Sequence, residues 1–157
     1  MCIEDYFAVA KKEAFYSNCL RRHVGAIIVK EGNIIGKGTN KVPKQMRSCG
    51  ENGGCIRTLY NLPRGVGYNF CNSVHAEINA INSAIEDIEN STMYLVGYDA
   101  LTGDTVENLD CCENCKKVIK ISGINIVCIK DAVENQFIKV YTKDWRRKVI
   151  KINKRVY

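Results

Sequence analysis

The sequence contains few histidines and no long apolar segment. Only two of its 157 residues are histidine, and no apolar run approaches the ~18–20 residues that a membrane-spanning helix needs. The first residues are acidic, where a secretory signal would be basic and then apolar. There is no internal repeat and no low-complexity segment. We therefore expect a cytoplasmic protein with no membrane partner, in which any metal site depends mainly on sulfur.

Cysteine, in contrast, is abundant. Nine cysteines are an odd number in a chain without an export signal, so a framework of disulfides explains them poorly. Reduced thiols more often serve as metal ligands or as small buried apolar side chains. Because thiolates are soft ligands, they favour zinc over the hard cations that prefer oxygen.

The net charge of +6 is concentrated at the C-terminal end. A basic element at 143–157 contains seven of the 23 lysines and arginines but only one of the 17 acidic residues. The neutral remainder argues against a nucleic-acid-binding protein, because such a protein spreads positive charge over a face of the fold. Apolar residues in this element follow helical intervals, although 149–157 is also compatible with a strand. The length is typical of a single domain, 1–157.

Hydrophobic periodicity predicts an α/β fold. The predicted helices are 2–18, 75–90 and a helix with its middle at 116–121. The predicted strands are 24–29, 34–38, 92–97 and 124–129. The first two strands flank the turn signal Glu31-Gly32-Asn33 and form a hairpin. The later succession of strand, helix and strand predicts a βαβ unit with parallel strands and a right-handed crossover.

Residues 41–74 form a long segment without sustained periodicity. The segment is rich in glycine and contains Cys49, Cys55 and Cys71. An irregular segment of this length inside a compact domain requires an explanation. Metal binding by its cysteines is one candidate, since a bound metal adds directly to the free energy of folding.

Four residues suit a catalytic zinc site. Cys112 and Cys115 lie three apart at the start of a predicted helix, where the helix dipole favours a thiolate. His75 opens another helix, so facing helix starts would let one ion take all three side chains and keep a fourth position for water. Glu77 follows His75 by two residues and suits proton transfer from that water. Cys-x-x-Cys alone is often structural, whereas its combination with His-x-Glu predicts a catalytic zinc.

These motifs resemble those of the zinc-dependent nucleoside and nucleotide deaminases. The similar residues are His-Ala-Glu-Ile-Asn-Ala-Ile at 75–81, Cys-x-x-Cys-Lys at 112–116 and Ser-Gly-Ile at 122–124. The segments 24–28 and 38–40 are similar to the first hairpin of the deoxycytidylate (dCMP) deaminase branch. The resemblance covers about residues 17–130. It departs from the family at Cys111, where proline is usual, at Lys41, where glycine is usual, and in extra residues around 98–110.

The resemblance implies a three-layer α/β/α cytidine-deaminase-like fold, with a central mixed sheet of about five strands and helices on both faces. It also implies zinc-dependent hydrolysis of dCMP to dUMP and ammonia, with Glu77 moving the protons. Asn40 matches an asparagine that helps to hold the nucleotide, and Ala76 lies in the stretch that lines the base pocket. For Asn40 the alternative role is a turn cap that ends the hairpin.

Further properties are implied by the same resemblance. Some members of the dCMP deaminase branch carry a second, structural zinc, for which the matching thiols here are Cys19, Cys49, Cys55 and Cys71. The alternative is that these are small apolar side chains and free thiols. The family also implies a nucleotide as the small-molecule partner, a homo-oligomer (hexamer or dimer), and dCTP or dTTP as an effector.

Two other functions remain open. The same chemistry could act on another nucleotide or on a base in RNA or single-stranded DNA, although the neutral main body disfavours a polynucleotide. The second alternative is a catalytically silent, zinc-binding regulatory module. Glu77 disfavours that alternative, because a structural site has no use for a proton-transferring carboxylate.

Overall fold

The chain folds around one mixed β-sheet, and the computed structural model describes residues 1–153. The helices are α1 (Ile3–Ala14), α2 (Ile56–Leu59), α3 (Ala76–Asn82) and α4 (Glu113–Ile121), with a 3₁₀ turn at Tyr68–Phe70. The strands are β1 (Arg22–Lys30), β2 (Asn33–Thr39), β3 (Thr92–Asp99), β4 (Ile126–Lys130), β5 (Gln136–Tyr141) and β6 (Arg146–Lys151). The predicted α/β class is confirmed.

The strands follow the order β2-β1-β3-β4-β5-β6 across the sheet. β1 pairs antiparallel with both β2 and β3, whereas β3 and β4 run parallel and are connected through α4. The predicted hairpin and the predicted parallel pair are therefore confirmed. β4, β5 and β6 pair antiparallel in sequence, which gives six strands where about five were predicted.

Helices cover both faces of the sheet. On one face α1 buries Phe7 and Ala10, and the Phe7 ring lies 5.9 Å from the ring of Phe137. On the other face α3 and α4 bury Ala80 and Ile119 completely. Both faces of β1 are covered, so five consecutive residues of this strand are buried and the alternation of an exposed strand is lost. The predicted three-layer arrangement is confirmed.

The helix predicted over 75–90 is too long, since α3 ends at Asn82. The Ser83 hydroxyl donates to the carbonyl oxygens of Lys37 and Ala80, at 2.7 and 2.9 Å, and so bonds to both β2 and the last turn of α3. Two residues later, the amide of Ile85 donates to a carbonyl oxygen of β2 instead of continuing the helix. The Ile85 side chain is 83% exposed. The apolar spacing that suggested a longer helix therefore includes a residue that does not pack against the core.

The basic C-terminal element contains a strand. The helical interpretation of 143–157 is therefore wrong, and the strand alternative over 149–157 begins too late. Trp145 adopts a positive φ of 55° and turns the chain back, so that β6 pairs with β5 and satisfies its backbone groups. Ile150 then packs against the core under α1. The predicted element continues through 154–157, which lie outside the described residues.

α3 lies unusually close to β2. A β-carbon added at Gly38 would overlap the backbone of Ala76 and Ala80, so only glycine permits this approach. The contact brings the start of α3 to the edge of the sheet where the candidate site lies. The segment 41–74 is irregular as predicted, apart from α2 and the 3₁₀ turn. Within residues 1–153, no helix has both the length and the apolar character needed to cross a membrane.

Candidate active site

The starts of two helices meet at this edge. His75 is the residue before the first turn of α3, and Cys112 holds the same position in α4, where its sulfur accepts from the amide of Cys115 at 3.5 Å. Both helix starts have extended backbone at the capping residue. The approach of the two helix starts, on which the predicted zinc site depends, is therefore seen in the structure. It places all three side chains at the positive ends of helix dipoles.

The distances among the three side chains fit a zinc ion. His75 Nδ1 lies 3.5 Å from Cys112 Sγ and 3.4 Å from Cys115 Sγ. All three ligand atoms lie within 4.8 Å of one another. Tetrahedral zinc with ordinary zinc–sulfur and zinc–nitrogen bonds separates its sulfur and nitrogen ligands by about 3.5 Å. This donor set can hold zinc and leave one position open.

Hydrogen bonds within the trio shift the pKa values of the two thiols in opposite directions. The Cys115 thiol bonds to the sulfur of Cys112, which lowers the pKa of Cys112 and raises the pKa of Cys115. The bond to Cys112 also raises the pKa of His75, although burial opposes that shift. Thiolate is the form that binds a metal, so the lowered pKa of Cys112 favours its role as a ligand.

Glu77 is buried beside this trio, with only 5% of its surface exposed. Burial raises the pKa of its carboxyl group, while its own backbone amide, the charge of His75 and a hydrogen bond with Cys111 oppose the rise. A carboxyl group with a raised pKa can hold a proton and return it near neutral pH. Glu77 lies at the same cavity as His75 and Cys112, and its role in proton transfer stays a prediction.

The two residues predicted to contact the substrate line the same cavity as His75 and Glu77. Ala76 is fully buried at the start of α3. The Asn40 amide bonds to β1, since its oxygen accepts from the amide of Val24 at 2.9 Å and its nitrogen donates to the carbonyl oxygen of Arg22 at 2.8 Å. Asn40 therefore caps the hairpin, and its predicted contact with the nucleotide stays a prediction.

The four remaining predicted ligands face this cavity too: Cys19, Cys49, Cys55 and Cys71. Burial raises the pKa of Cys49, and the charges of the other three add to the rise, so the other three lie in the neighbourhood of Cys49. They are not as tightly grouped as the first trio. Within residues 1–153, that trio is the one set of three or more potential ligands whose atoms all lie within 4.8 Å.

Sequence reasoning missed four arginines that line the cavity: Arg21, Arg22, Arg57 and Arg64. Burial lowers the pKa of Arg22, and the charges of Arg64, Arg21 and Arg57 lower it further, so the four guanidinium groups interact. In the part of the chain that the structure describes, no carboxylate lies within 4.0 Å of any of them. Residues 1–142 contain as many acidic as basic residues, so their composition does not indicate this local excess of positive charge.

Unpartnered polar atoms lie among these arginines. Arg21 Nη1 and Ser73 Oγ are buried without a hydrogen-bond partner in the protein. Arg57 is held over the ring of Tyr68 at 4.5 Å, and that ring meets the imidazole of His75 edge-on at 5.6 Å. Buried polar atoms without partners are rare, and both of these line the cavity that contains His75 and Glu77. Of the four arginines, Arg57 is thus linked to His75 through the ring of Tyr68.

Comparison with known proteins agrees with this geometry. Residues 1–130 match the family described as the cytidine and deoxycytidylate deaminase zinc-binding region. The chain is 37% identical over 94 residues to the deoxycytidylate deaminase of Saccharomyces cerevisiae, covering 58% of this chain and 29% of the yeast protein. It is 31% identical over 131 residues to the deoxycytidylate deaminase of Mycobacterium phage D29, covering 79% of this chain and 91% of the phage protein.

A solved structure is similar as well. The dCMP deaminase of cyanophage S-TIM5, in complex with dCMP and dUMP, superposes with a TM-score of 0.56 at 26% identity, covering 83% of this chain and 84% of that one. The chain spans less than a third of the yeast relative but most of both phage relatives. The family match includes all residues of the trio and Glu77. The chain belongs to the cytidine and deoxycytidylate deaminase family.

Proposed function

We propose that the chain catalyses the hydrolysis of dCMP to dUMP and ammonia. The observation that carries this proposal is the trio His75, Cys112 and Cys115 beside the buried carboxyl group of Glu77. Two sulfurs and one imidazole form a three-ligand zinc site with an open position, which is the arrangement of catalytic rather than structural zinc. The similarity to deoxycytidylate deaminases supports dCMP as the substrate.

Different residues of the site bind the metal and transfer the protons. Zinc held by His75, Cys112 and Cys115 would supply a Lewis acid that lowers the pKa of a water molecule toward ~7. Glu77 accepts a proton from the attacking water and passes it to N3 of cytosine, and then delivers the second proton to the amino group at C4, which leaves as ammonia. The oxygen of the water stays on C4 as the carbonyl oxygen of dUMP. Burial of Glu77 limits exchange of these protons with bulk water.

The arginine group supports a phosphorylated substrate over a free nucleoside. A phosphate monoester carries about −1.5 to −2 charges near neutral pH and accepts paired hydrogen bonds from guanidinium groups. Arg21 offers an unpartnered Nη1, and Ser73 offers an unpartnered hydroxyl. Asn40 keeps one amide hydrogen and one oxygen lone pair beyond its two bonds to β1, so it can also contact the nucleotide.

Ammonia release from a panel of cytosine compounds tests this proposal. The panel consists of dCMP, CMP, dCTP, deoxycytidine and cytosine-containing oligonucleotides, each with zinc-replete protein. We expect the highest kcat/KM for dCMP. Preference for another nucleotide or for an oligonucleotide would replace the proposed substrate, and no release from any compound would support the silent regulatory module.

We also propose a second, structural zinc bound by Cys19, Cys49, Cys55 and Cys71. The support is that these thiols share one cavity and that the charges of three of them raise the pKa of the fourth, Cys49. A closed four-thiolate site would stabilise the irregular segment 41–74. Metal analysis is expected to find two zinc ions per chain, and one in the variant Cys49→Ser. One zinc in the wild-type protein would contradict this part.

The predicted homo-oligomer, the dCTP or dTTP effector and the cytoplasmic location complete the proposal. The oligomer and the effector rest on similarity to the family, whereas the location rests on the lack of a long apolar run in the sequence. The mass of the particle in solution, measured by light scattering, tests the oligomer. Rates of dCMP deamination with added dCTP or dTTP test the effector, since a nucleotide that binds elsewhere changes the dependence of rate on dCMP without being consumed.

A further inference from the structure

Asp110, two residues before Cys112, contacts several separate parts of the fold. Its Oδ1 accepts from the amide of Cys111 at 2.8 Å and from the indole Nε1 of Trp145 at 3.1 Å. Its Oδ2 lies 2.9 Å from Arg147 Nη1 and 3.5 Å from Lys116 Nζ. One carboxylate therefore receives donors from its own turn, from α4 and from the C-terminal part of the sheet.

The partners at the C-terminal end belong to the hairpin formed by β5 and β6, residues 136–151. Trp145 lies in the turn of this hairpin, and Arg147 lies in β6. The indole ring also lies 5.3 Å from Lys116 Nζ and 6.0 Å from Lys120 Nζ, so it extends along α4. This hairpin lies beyond residue 130, where the family match ends. The contacts of this hairpin with Asp110 therefore involve residues outside the matched family region.

These contacts bear on the metal ligands because the same short segment carries both. The amide of Cys111 is bonded to Asp110, the carbonyl oxygen of Cys112 accepts from the amide of Lys116 at 2.9 Å, and Cys115 lies in the turn between them. Asp110 and Lys116 are joined in turn by their ion pair. We therefore expect a displacement of Asp110 to shift the segment that carries both cysteine sulfurs.

We propose that Asp110 is a positioning residue through which the β5–β6 hairpin holds the turn that carries Cys112 and Cys115. This inference rests on the metal site of the proposed function. A metal site works only when its ligands are held within about 0.5 Å of the required geometry. Residues that hydrogen-bond to the ligating residues supply that restraint. Their loss typically weakens metal binding about 10- to 100-fold.

Metal affinity and the spectrum of the bound metal test the inference directly. Zinc affinity is measured by competition with a chromophoric chelator, and cobalt(II) substitution reports thiolate coordination through its charge-transfer band. Asp110→Asn is expected to bind zinc about 10- to 100-fold more weakly and to shift that band. Arg147→Gln and Trp145→Phe, which touch neither cysteine, are expected to show smaller changes in the same direction. Arg147→Lys keeps the charge and is expected to recover most of the affinity.

Asp87→Asn is the matched control. Asp87 also accepts from a backbone amide, that of Glu89 at 3.1 Å, and pairs with a lysine, Lys30 at 3.3 Å, but it lies outside the site. Its substitution is expected to leave zinc affinity unchanged. Should Asp110→Asn fail to fold, as judged by circular dichroism, Arg147→Gln and Trp145→Phe decide the question.

The outcomes separate this inference from the proposed function. Wild-type zinc affinity and cobalt spectrum in Asp110→Asn, Arg147→Gln and Trp145→Phe would overturn the inference while leaving dCMP deamination intact. A lower thermal stability of these variants with unchanged zinc affinity would overturn it too, because it would reduce Asp110 to a structural role. If the wild-type protein binds no zinc, the proposed function fails first, and the inference fails with it.

Discussion

The side-chain amide of Asn79 donates a hydrogen bond to the carbonyl oxygen of Thr39 at 2.7 Å. The same nitrogen lies 3.3 Å from the carbonyl oxygen of Val74, the residue directly before His75. Asn79 thus joins the end of β2, the middle of α3 and the turn that introduces α3. His75 directly precedes α3 and Glu77 lies in its first turn. Their positions therefore depend on the side-chain amide of Asn79.

Replacing Asn79 by alanine is therefore expected to destabilise the protein and loosen the site. The change removes the donor to two carbonyl oxygens, which costs about 1–3 kcal/mol when such groups are buried. Urea unfolding measures the loss of stability, and chelator competition measures the accompanying loss of zinc affinity. Asn82→Ala, an exposed position of the same helix, is the control. Equal unfolding midpoints for the two variants would contradict the role of Asn79.

Glu77→Gln is expected to separate metal binding from catalysis. Glutamine has nearly the same shape but cannot carry the proton, so zinc is expected to stay bound while the rate of ammonia release falls about 10²- to 10⁴-fold. Zinc content and kcat are measured on the same preparation. Glu86→Gln, an exposed acid after α3, is expected to behave as the wild type. Near wild-type turnover in Glu77→Gln would remove its proposed role.

The metal site could be predicted because its residues are local to two helix starts. The spacing of Cys-x-x-Cys places two side chains on one face of a helix start, whereas His-x-Glu places two side chains in one turn but on different faces. The predicted site assumed that the two helix starts meet. The length of α3 was not predictable in this way, because the apolar spacing continues to Ile85 although the Ser83 hydroxyl and the strand β2 end the helix.

The arginine group could not be found from spacing. Arg21 directly precedes β1 and Arg22 is its first residue, whereas Arg57 and Arg64 lie in the segment 41–74, and only the tertiary fold brings them to one cavity. β6 was predicted only in part, by the strand alternative over 149–157, and for a different reason. Four of its six residues are basic and exposed, so an edge strand with charged side chains carries no apolar alternation to detect.

Arg21→Gln and Arg64→Gln are expected to weaken binding of a phosphorylated substrate. Each removes one charged donor, and a hydrogen bond to a charged group contributes about 1.5–3 kcal/mol, so KM for dCMP should rise about 10- to 100-fold with a smaller change in kcat. Steady-state kinetics with dCMP and with deoxycytidine separate the phosphate contribution, since deoxycytidine lacks the group concerned. Arg47→Gln, exposed in the same segment, is the control. An equal effect on both substrates would show that the arginines do not bind phosphate.

The stability of the fold is expected to fall in alkali because of Tyr94. Burial, with smaller contributions from the charges of Cys128 and Tyr6, raises the pKa of Tyr94 from 10.0 to about 12. Burial likewise raises the pKa of Cys128 from 9.0 to about 12. Between the unfolded and folded pKa values, the unfolded chain binds fewer protons than the folded one. The free energy of unfolding therefore decreases as pH rises through this range, and the contribution is fully present below it.

Urea unfolding at a series of pH values from about 8 to 11.5 measures this slope over the window that the two shifts define. In Tyr94→Phe no phenol remains to ionise at that position, so the decline above pH 10 is expected to be shallower than in the wild type. Tyr60→Phe alters a ring that is 72% exposed and serves as the control. Identical slopes in Tyr94→Phe and the wild type would mean that ionisation of this partly buried phenol does not oppose folding. The alkaline loss would then have to come from Cys128 or another group.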